Sequence, residues 1–169
     1  MSKISIVDEN DQIIGSEEFE KAKKERIYRV AALWITNSHG EILLALRHRN
    51  KIHDPLKWGP AVSGTVEEGE SYEQNIKKEA KEELELEKIL PKIGPKIKIE
   101  DEYNYFVQWF TLTTDKIIGE FKIQEDEVEE IKWFSKEELL SELDSHPENF
   151  TPGIRKYSEM FIVDKILTE

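Results

Sequence analysis

The stretch "GTVEEGESYEQNIKKEAKEELEL", Gly64 to Leu86, constrains the fold of this chain more than any other. It joins a glycine-containing loop to a segment of helical period. Ser71 and Gln74 have the spacing of a capping box, in which each side chain satisfies a backbone N–H of the other, and they predict a helix start. Tyr72, Ile76, Ala80 and Leu84 recur four apart and form an apolar stripe for a core. Glu79, Glu82 and Glu83, at i, i+3 and i+4, share one side of the helix beside that stripe. Carboxylates so close repel unless something positive lies between them, and a hard divalent cation takes this kind of oxygen ligand. Lys77, Lys78 and Lys81 offer the alternative of neutralisation by side chains. Ahead of the helix, Gly64, Glu67, Gly69 and Glu70 form a loop in which the backbone can approach a ligand closely.

The flanks read as strands and helices in alternation. "KISIVDENDQIIGSEE" predicts two short strands around a turn, and Glu17 to Lys24 a polar helix. "RIYRVAALWITNSHGEILLALRHR" predicts a hairpin turning at Asn37 to Gly40. "NKIHDPLKWGPAVSG" is a loop leading into a short strand. "PKIGPKIKIEDEYNYFVQWFTLTTDKIIGEFKI" predicts further strands, and "EVEEIKWFS" one more. Ser135 with Glu138 repeats the capping spacing before "KEELLSEL". Thr151-Pro152 predicts the start of a last helix, "PGIRKYSEMFIVDKILT", with proline at its first position. The class is α/β, with helices packed on a sheet.

Composition sets the bounds on function. The 169 residues carry a formal charge of -12 with 24 Lys and Arg against 36 Asp and Glu, which argues against nucleic acid or an anionic membrane as the main partner. A small anion needs only a local basic patch or a bound cation. With no cysteine, the chain has neither disulfides nor thiolate ligands nor thiol nucleophiles. No run approaches the roughly 20 apolar residues of a membrane span, and "MSKISIVDENDQ" lacks the pattern of a signal peptide. A cytoplasmic location is expected. No repeat or low-complexity tract interrupts a single domain over 1–169, with 1–25 as an N-terminal hairpin and helix extension and 151–169 as a C-terminal helix.

The order Gly64, Glu70, Lys78-Glu79, Glu82-Glu83, Leu86 resembles the box of the Nudix hydrolase family, Gly-x5-Glu-x7-Arg-Glu-U-x-Glu-Glu-x-Gly-U with U aliphatic, over 64–86. "GEILLALR" resembles the strand before the family's substrate loop, and "EVEEIKWFSKEEL" its closing strand and helix. Two positions depart from the pattern. Lys78 stands for the arginine and cannot fork onto two oxygens of one carboxylate. Glu85 stands for the last glycine, which costs roughly 1–2 kcal/mol if the backbone there is left-handed.

The resemblance implies an α/β/α Nudix sandwich with a mixed sheet. It also implies a pyrophosphohydrolase acting with Mg²⁺ or Mn²⁺ on a nucleoside diphosphate-linked or related small molecule, and it admits a homodimer. Glu79, Glu82 and Glu83 with the Gly64 carbonyl are then the metal ligands. Glu79 first and Glu83 second would activate water, and Lys78 is the third catalytic candidate. Glu127 and Glu129 are alternative carboxylates from a later loop. Arg29, Arg47, His48 and Arg49 are the cations available to phosphate, with Arg29, Arg47 and Arg49 the substrate-binding candidates. His39, His53 and His146 read as surface, and Trp58, Tyr105 and Trp109 as core or wall packing, with stacking on a base or against a prenyl chain as the alternative.

"VDENDQIIGSEE", "YRVAALWITNSHGEILLALR" and "WGPAVSGTVEEGES" further resemble isopentenyl-diphosphate isomerase, a Nudix-fold enzyme of proton transfer. That enzyme's cysteine falls at Ser63, a histidine at Thr65, a metal histidine at Arg29 and two glutamates at Tyr103 and Tyr105. Serine is no practical acid near neutrality and arginine does not ligate metals. The resemblance therefore implies a hydrolase of the isomerase-like branch, with isomerase-like activity or a non-catalytic diphosphate- or nucleotide-binding module as alternatives.

Overall fold

The apolar runs of the sequence are buried along both faces, as happens when a strand is covered on each side. Ala31–Ile35, Ile42–Ala45 and Phe106–Phe110 are unbroken buried segments, including the polar Gln108. A computed structural model describes residues 2–163. In chain order the elements are β1 (Lys3–Val7), β2 (Ile13–Glu18), α1 (Phe19–Ala22), β3 (Ile27–Thr36), β4 (Ile42–Arg47), β5 (Trp58–Pro60), β6 (Val62–Thr65), α2 (Tyr72–Leu84), β7 (Lys92–Glu100), β8 (Asn104–Thr113), β9 (Val128–Phe134), α3 (Lys136–Ser145) and α4 (Ile154–Ser158). They gather into two compact units, Met1–Trp34 with Val62–Leu112 and Ile35–Ala61 with Thr113–Glu169.

In the first unit β1 pairs antiparallel with β2, from Lys3↔Glu18 to Val7↔Ile13, and with β3 at Ile6↔Tyr28. β6 lies antiparallel on β3, Val30↔Thr65 to Leu33↔Val62, which sets Gly64 opposite Ala31. β7 and β8 form a long hairpin whose register shifts between Ile93 and Lys96, around Pro95. Proline cannot donate to a ladder, so a strand accommodates it at such an irregularity. Gln108 repairs it, its buried Nε2 donating to the carbonyls of Gly94 and Trp109, each at 2.9 Å. α2 lays Ile76, Ala80 and Leu84 into the core.

In the second unit β4 pairs antiparallel with β5 and, over Ile42↔Phe134 to Arg47↔Val128, with β9. The turn expected at Asn37–Gly40 is present, with Gly40 at φ 74° and the Asn37 side chain accepting from the N–H groups of His39 and Glu41. α3 opens at Ser135, whose hydroxyl accepts from Glu138 N–H at 3.0 Å.

Three expectations are corrected. The helix read over Glu17 to Lys24 is a single turn, because Glu17 and Glu18 extend β2 along Ile4 and Lys3. "DKIIGEFKI" is not a strand; Ile118–Glu120 is a 3₁₀ turn with Ile117 exposed, closed by the Phe121 N–H bonding to the Ile118 carbonyl. Pro152 precedes the last helix instead of opening it, for α4 begins at Ile154 after Gly153 and continues as a π-helical turn over Glu159–Val163. The remainder of the C-terminal helix expected over 151–169 lies outside the described residues.

Candidate active site

The loop before α2 is organised by Glu70. One of its oxygens accepts from the Glu67 N–H at 3.0 Å and from the Asn75 side chain at 3.0 Å, and the other meets Lys78 Nζ at 2.5 Å. Burial alone would raise the Glu70 carboxyl, but Lys78 and these two N–H donors outweigh it and hold it below the ordinary glutamate value. Lys78 also reaches Glu67 at 3.2 Å. It thus joins two separate carboxylates where the family pattern has an arginine. Asn75, fully buried, donates also to the Thr65 carbonyl at 3.1 Å and so pins α2 to β6. Ser71 and Gln74 close the expected capping box in both directions.

On this scaffold Glu79 lies against Gly64. A Cβ on Gly64 would stand 2.4 Å from Glu79 Cγ, so any larger residue there would displace the Glu79 side chain. Burial pushes the Glu79 carboxyl up to about 7, and the neighbouring Glu82 adds to the rise while Lys78 opposes it. Glu82 is exposed and Glu83 half-buried on the same side of α2. Lys77 pairs with Glu73 at 2.7 Å and Lys81 with Glu87 at 3.7 Å, so each has a carboxylate partner other than Glu79 and Glu82. Among the described residues no three His, Asp or Glu side chains converge as a metal cage. The donors nevertheless fit a hard cation in kind: a half-buried carboxyl whose pKa burial and the neighbouring Glu82 raise, so that a positive charge beside it would favour its ionised form, next to a second carboxylate and a glycine backbone.

Arg29 is engaged. Its Nε meets Asp11 Oδ1 at 2.7 Å and its Nη2 donates to the Asp11 carbonyl at 2.7 Å. Asp11 also meets Lys96 Nζ at 2.6 Å and the Tyr72 hydroxyl at 3.0 Å, so Tyr72, expected in the apolar stripe, is only half-buried and turns its hydroxyl to a carboxylate. Asp11 and Lys96 gave no sequence signal of this, because a hairpin-tip aspartate reads as a turn residue and a lysine in a strand as solvated surface.

Of the other expected residues, Arg47, Arg49, Glu127 and Glu129 belong to the second unit. Arg47 donates from Nε to the His53 carbonyl at 3.0 Å. Arg49 grips Glu129 at 2.8 and 3.2 Å, and this hydrogen bonding holds the Glu129 carboxyl down at about 2. Lys51 pairs with Glu127. Of the two acids expected on a later loop, Glu127 lies just before β9 but Glu129 is on β9 itself, and both are partners of the basic segment after β4. His39, His53 and His146 are exposed. Trp109 is buried edge-on to Trp34, Tyr105 stacks on Tyr28, and Trp58 packs edge-on against Phe134, all as packing residues.

The family model described as the NUDIX domain matches residues 25–157. The chain belongs to the Nudix family. A prenyl-diphosphate phosphatase of Methanosarcina mazei is 31% identical over 159 residues, covering 90% of this chain and 91% of the relative. An uncharacterized Nudix hydrolase of Yersinia pestis is 26% identical over 160 residues, 94% of this chain and 85% of that one. A solved structure from Deinococcus radiodurans superposes with a TM-score of 0.78 at 22% identity, covering 94% of this chain and 98% of the other. The fold is the α/β Nudix fold, a mixed sheet flanked by helices, and the protein is a Nudix pyrophosphohydrolase. Nudix hydrolases generally use divalent metals such as Mg²⁺ or Mn²⁺. No helix among the described residues is long and apolar enough to cross a membrane.

Proposed function

We propose that this Nudix hydrolase cleaves the diphosphate of a small molecule with Mg²⁺ or Mn²⁺, held by Glu79, Glu82, Glu83 and the Gly64 carbonyl. One observation carries the reading: Glu79, pressed on Gly64 beside Glu82, has its carboxyl near 7. Bound there, the cation would screen the diphosphate charge and acidify water. Glu79, or Glu83 in its place, takes the proton from the attacking water as its oxygen bonds to phosphorus and the bond to the bridging oxygen breaks. The transfer needs that carboxylate ionised and within hydrogen-bond reach of the water. Lys78 acts by position, fixing Glu70 and Glu67 and through Asn75 the seat of α2.

The likeness to the Methanosarcina relative, whose name gives a prenyl diphosphate, supports testing that substrate class first, ahead of nucleoside diphosphate derivatives. It also agrees with a place for this chain in the isomerase-like branch of the family as a hydrolase. Ser63, Arg29 and Tyr105 stand where the isomerase needs a thiol, an imidazole and a carboxylate, and Arg29 and Tyr105 are committed to Asp11 and Tyr28.

The test is a panel of prenyl and nucleoside diphosphates with Mg²⁺ or Mn²⁺ at mildly alkaline pH, with Glu82→Gln and Glu83→Gln alongside. Cleavage by the wild type, lost in both variants, is the expected result. Undiminished turnover in both would remove the site, and no cleavage with the cation still bound would leave a binding module.

A further inference from the structure

Asp11 stands at the tip of the β1–β2 hairpin with its backbone left-handed at φ 60°. Glu9, Asn10 and Gln12 around it are exposed, yet Asp11 itself is only 7% exposed. Its carboxylate is surrounded: Arg29 Nε at 2.7 Å, Lys96 Nζ at 2.6 Å, and the Tyr72 hydroxyl 3.0 Å from each oxygen. Arg29 and Lys96 both lie over the Tyr72 ring, 4.8 and 5.1 Å from its centroid, so the aromatic face holds two cations toward one point. Beside them Lys98, on the same strand as Lys96, pairs with Glu9. An acidic tip is thus laid across basic side chains of β3 and β7 in a chain whose net charge is -12.

The charges within this pocket do not balance. Two cations face one carboxylate, whereas a phosphoryl group carries about -1.5 to -2 at neutral pH and offers three acceptor oxygens. Arginine, lysine and a phenol are the donors that such a group takes. The residues that build the pocket, on β3, β7 and the first turn of α2, belong to the body of the first unit. The residue that fills it comes from a tip whose second strand, β2, is exposed along most of its length. Glu79 lies seven residues beyond Tyr72, about 10 Å along α2. A group bound in the pocket is therefore not the phosphorus attacked beside Glu79.

We propose that Arg29, Lys96 and Tyr72 form a second anion site, for a phosphoryl group of a small ligand, and that Asp11 is a built-in competitor that closes it. Ligand and hairpin tip exchange at one place, so the ligand releases the tip. The site stands independently of the hydrolase reading, since binding there needs neither the cation nor turnover.

The experiment titrates the metal-free full chain with inorganic phosphate at low ionic strength by calorimetry. Asp11→Asn is expected to bind phosphate at least tenfold more tightly than the wild type, and adding Arg29→Gln to it abolishes the gain. A folded Asp11→Asn that binds no more tightly, or a gain that survives Arg29→Gln, overturns the proposal. Should Asp11→Asn fail to fold, the wild type decides by NMR. Phosphate, and not sodium chloride of equal ionic strength, shifts both the Asp11 amide and the Arg29 Nε–H signals; both signals unmoved at saturating phosphate would equally overturn it.

Discussion

Gly64 and Glu79 form one contact in which backbone choice sets the chemistry. A methyl group at Gly64 would fall 2.4 Å from Glu79 Cγ, so Gly64→Ala forces the carboxylate away from the strand. A displacement of about 1 Å at a reacting group costs on the order of 100-fold, and kcat of Gly64→Ala should fall by that order while circular dichroism stays native. Asp11 supports stability instead. Burial would raise its carboxyl, yet the hydrogen bonds from Lys96, Arg29 and Tyr72 prevail and hold it below its ordinary 3.8. A carboxylate depressed by folding contributes stability above its unfolded pKa and loses it as the pH falls through the folded one. Asp11→Asn should therefore cost roughly 1.5–3 kcal/mol near pH 7, the range for hydrogen bonds to charged groups, with the deficit shrinking below about pH 3.8. Urea denaturation of both proteins at pH 7, 5 and 3 measures it; a deficit unchanged at pH 3 would remove the ionised carboxylate as its cause.

At the scale of elements, α2 shows what a sequence makes legible. Its start was readable because Ser71 and Gln74 are local partners, and its core face because Ile76, Ala80 and Leu84 repeat with the helix. Its end carries a visible departure, Glu85, which adopts φ 52° and ψ 32°. The Leu86 N–H still bonds to the Ala80 carbonyl at 3.1 Å, so the terminating turn forms with the wrong residue in it. Glu85→Gly should raise stability by about 1 kcal/mol, read as an increase in urea midpoint without a change in slope. Short elements were less legible. Glu17 and Glu18 look helical by composition, and only their pairing with β1 makes them strand; "DKIIGEF" has strand residues, and none of the described strands takes them into a ladder. The glutamates of α2 were placed by spacing alone, but the fates of Arg29 and of Glu129 depend on Asp11 and Arg49, which lie 18 and 80 residues away. Pairings of that range leave no local pattern.

For the molecule as a whole, the charge of -12 sets how a cation should act on it. Any salt screens diffuse repulsion among the 36 acidic residues, so magnesium chloride and sodium chloride of equal ionic strength share that effect. A bound Mg²⁺ adds a specific gain of RT ln(1 + [Mg²⁺]/Kd), about 2.7 kcal/mol at a hundredfold excess over Kd. The carboxyl of Glu79 gives the gain a direction. Raised to about 7 by burial and by Glu82, it opposes folding once it ionises, so the metal-free protein loses stability as the pH rises from the ordinary glutamate value of 4.5 through 7. A cation beside it reverses that penalty. The extra stabilisation by Mg²⁺ over sodium chloride should therefore be larger at pH 8 than at pH 6, and small in Glu79→Gln at both. Thermal denaturation of the two proteins in matched salts checks this. Equal shifts for wild type and Glu79→Gln at pH 8 would place the cation elsewhere on the acidic surface, and Glu79 would then act only through its proton.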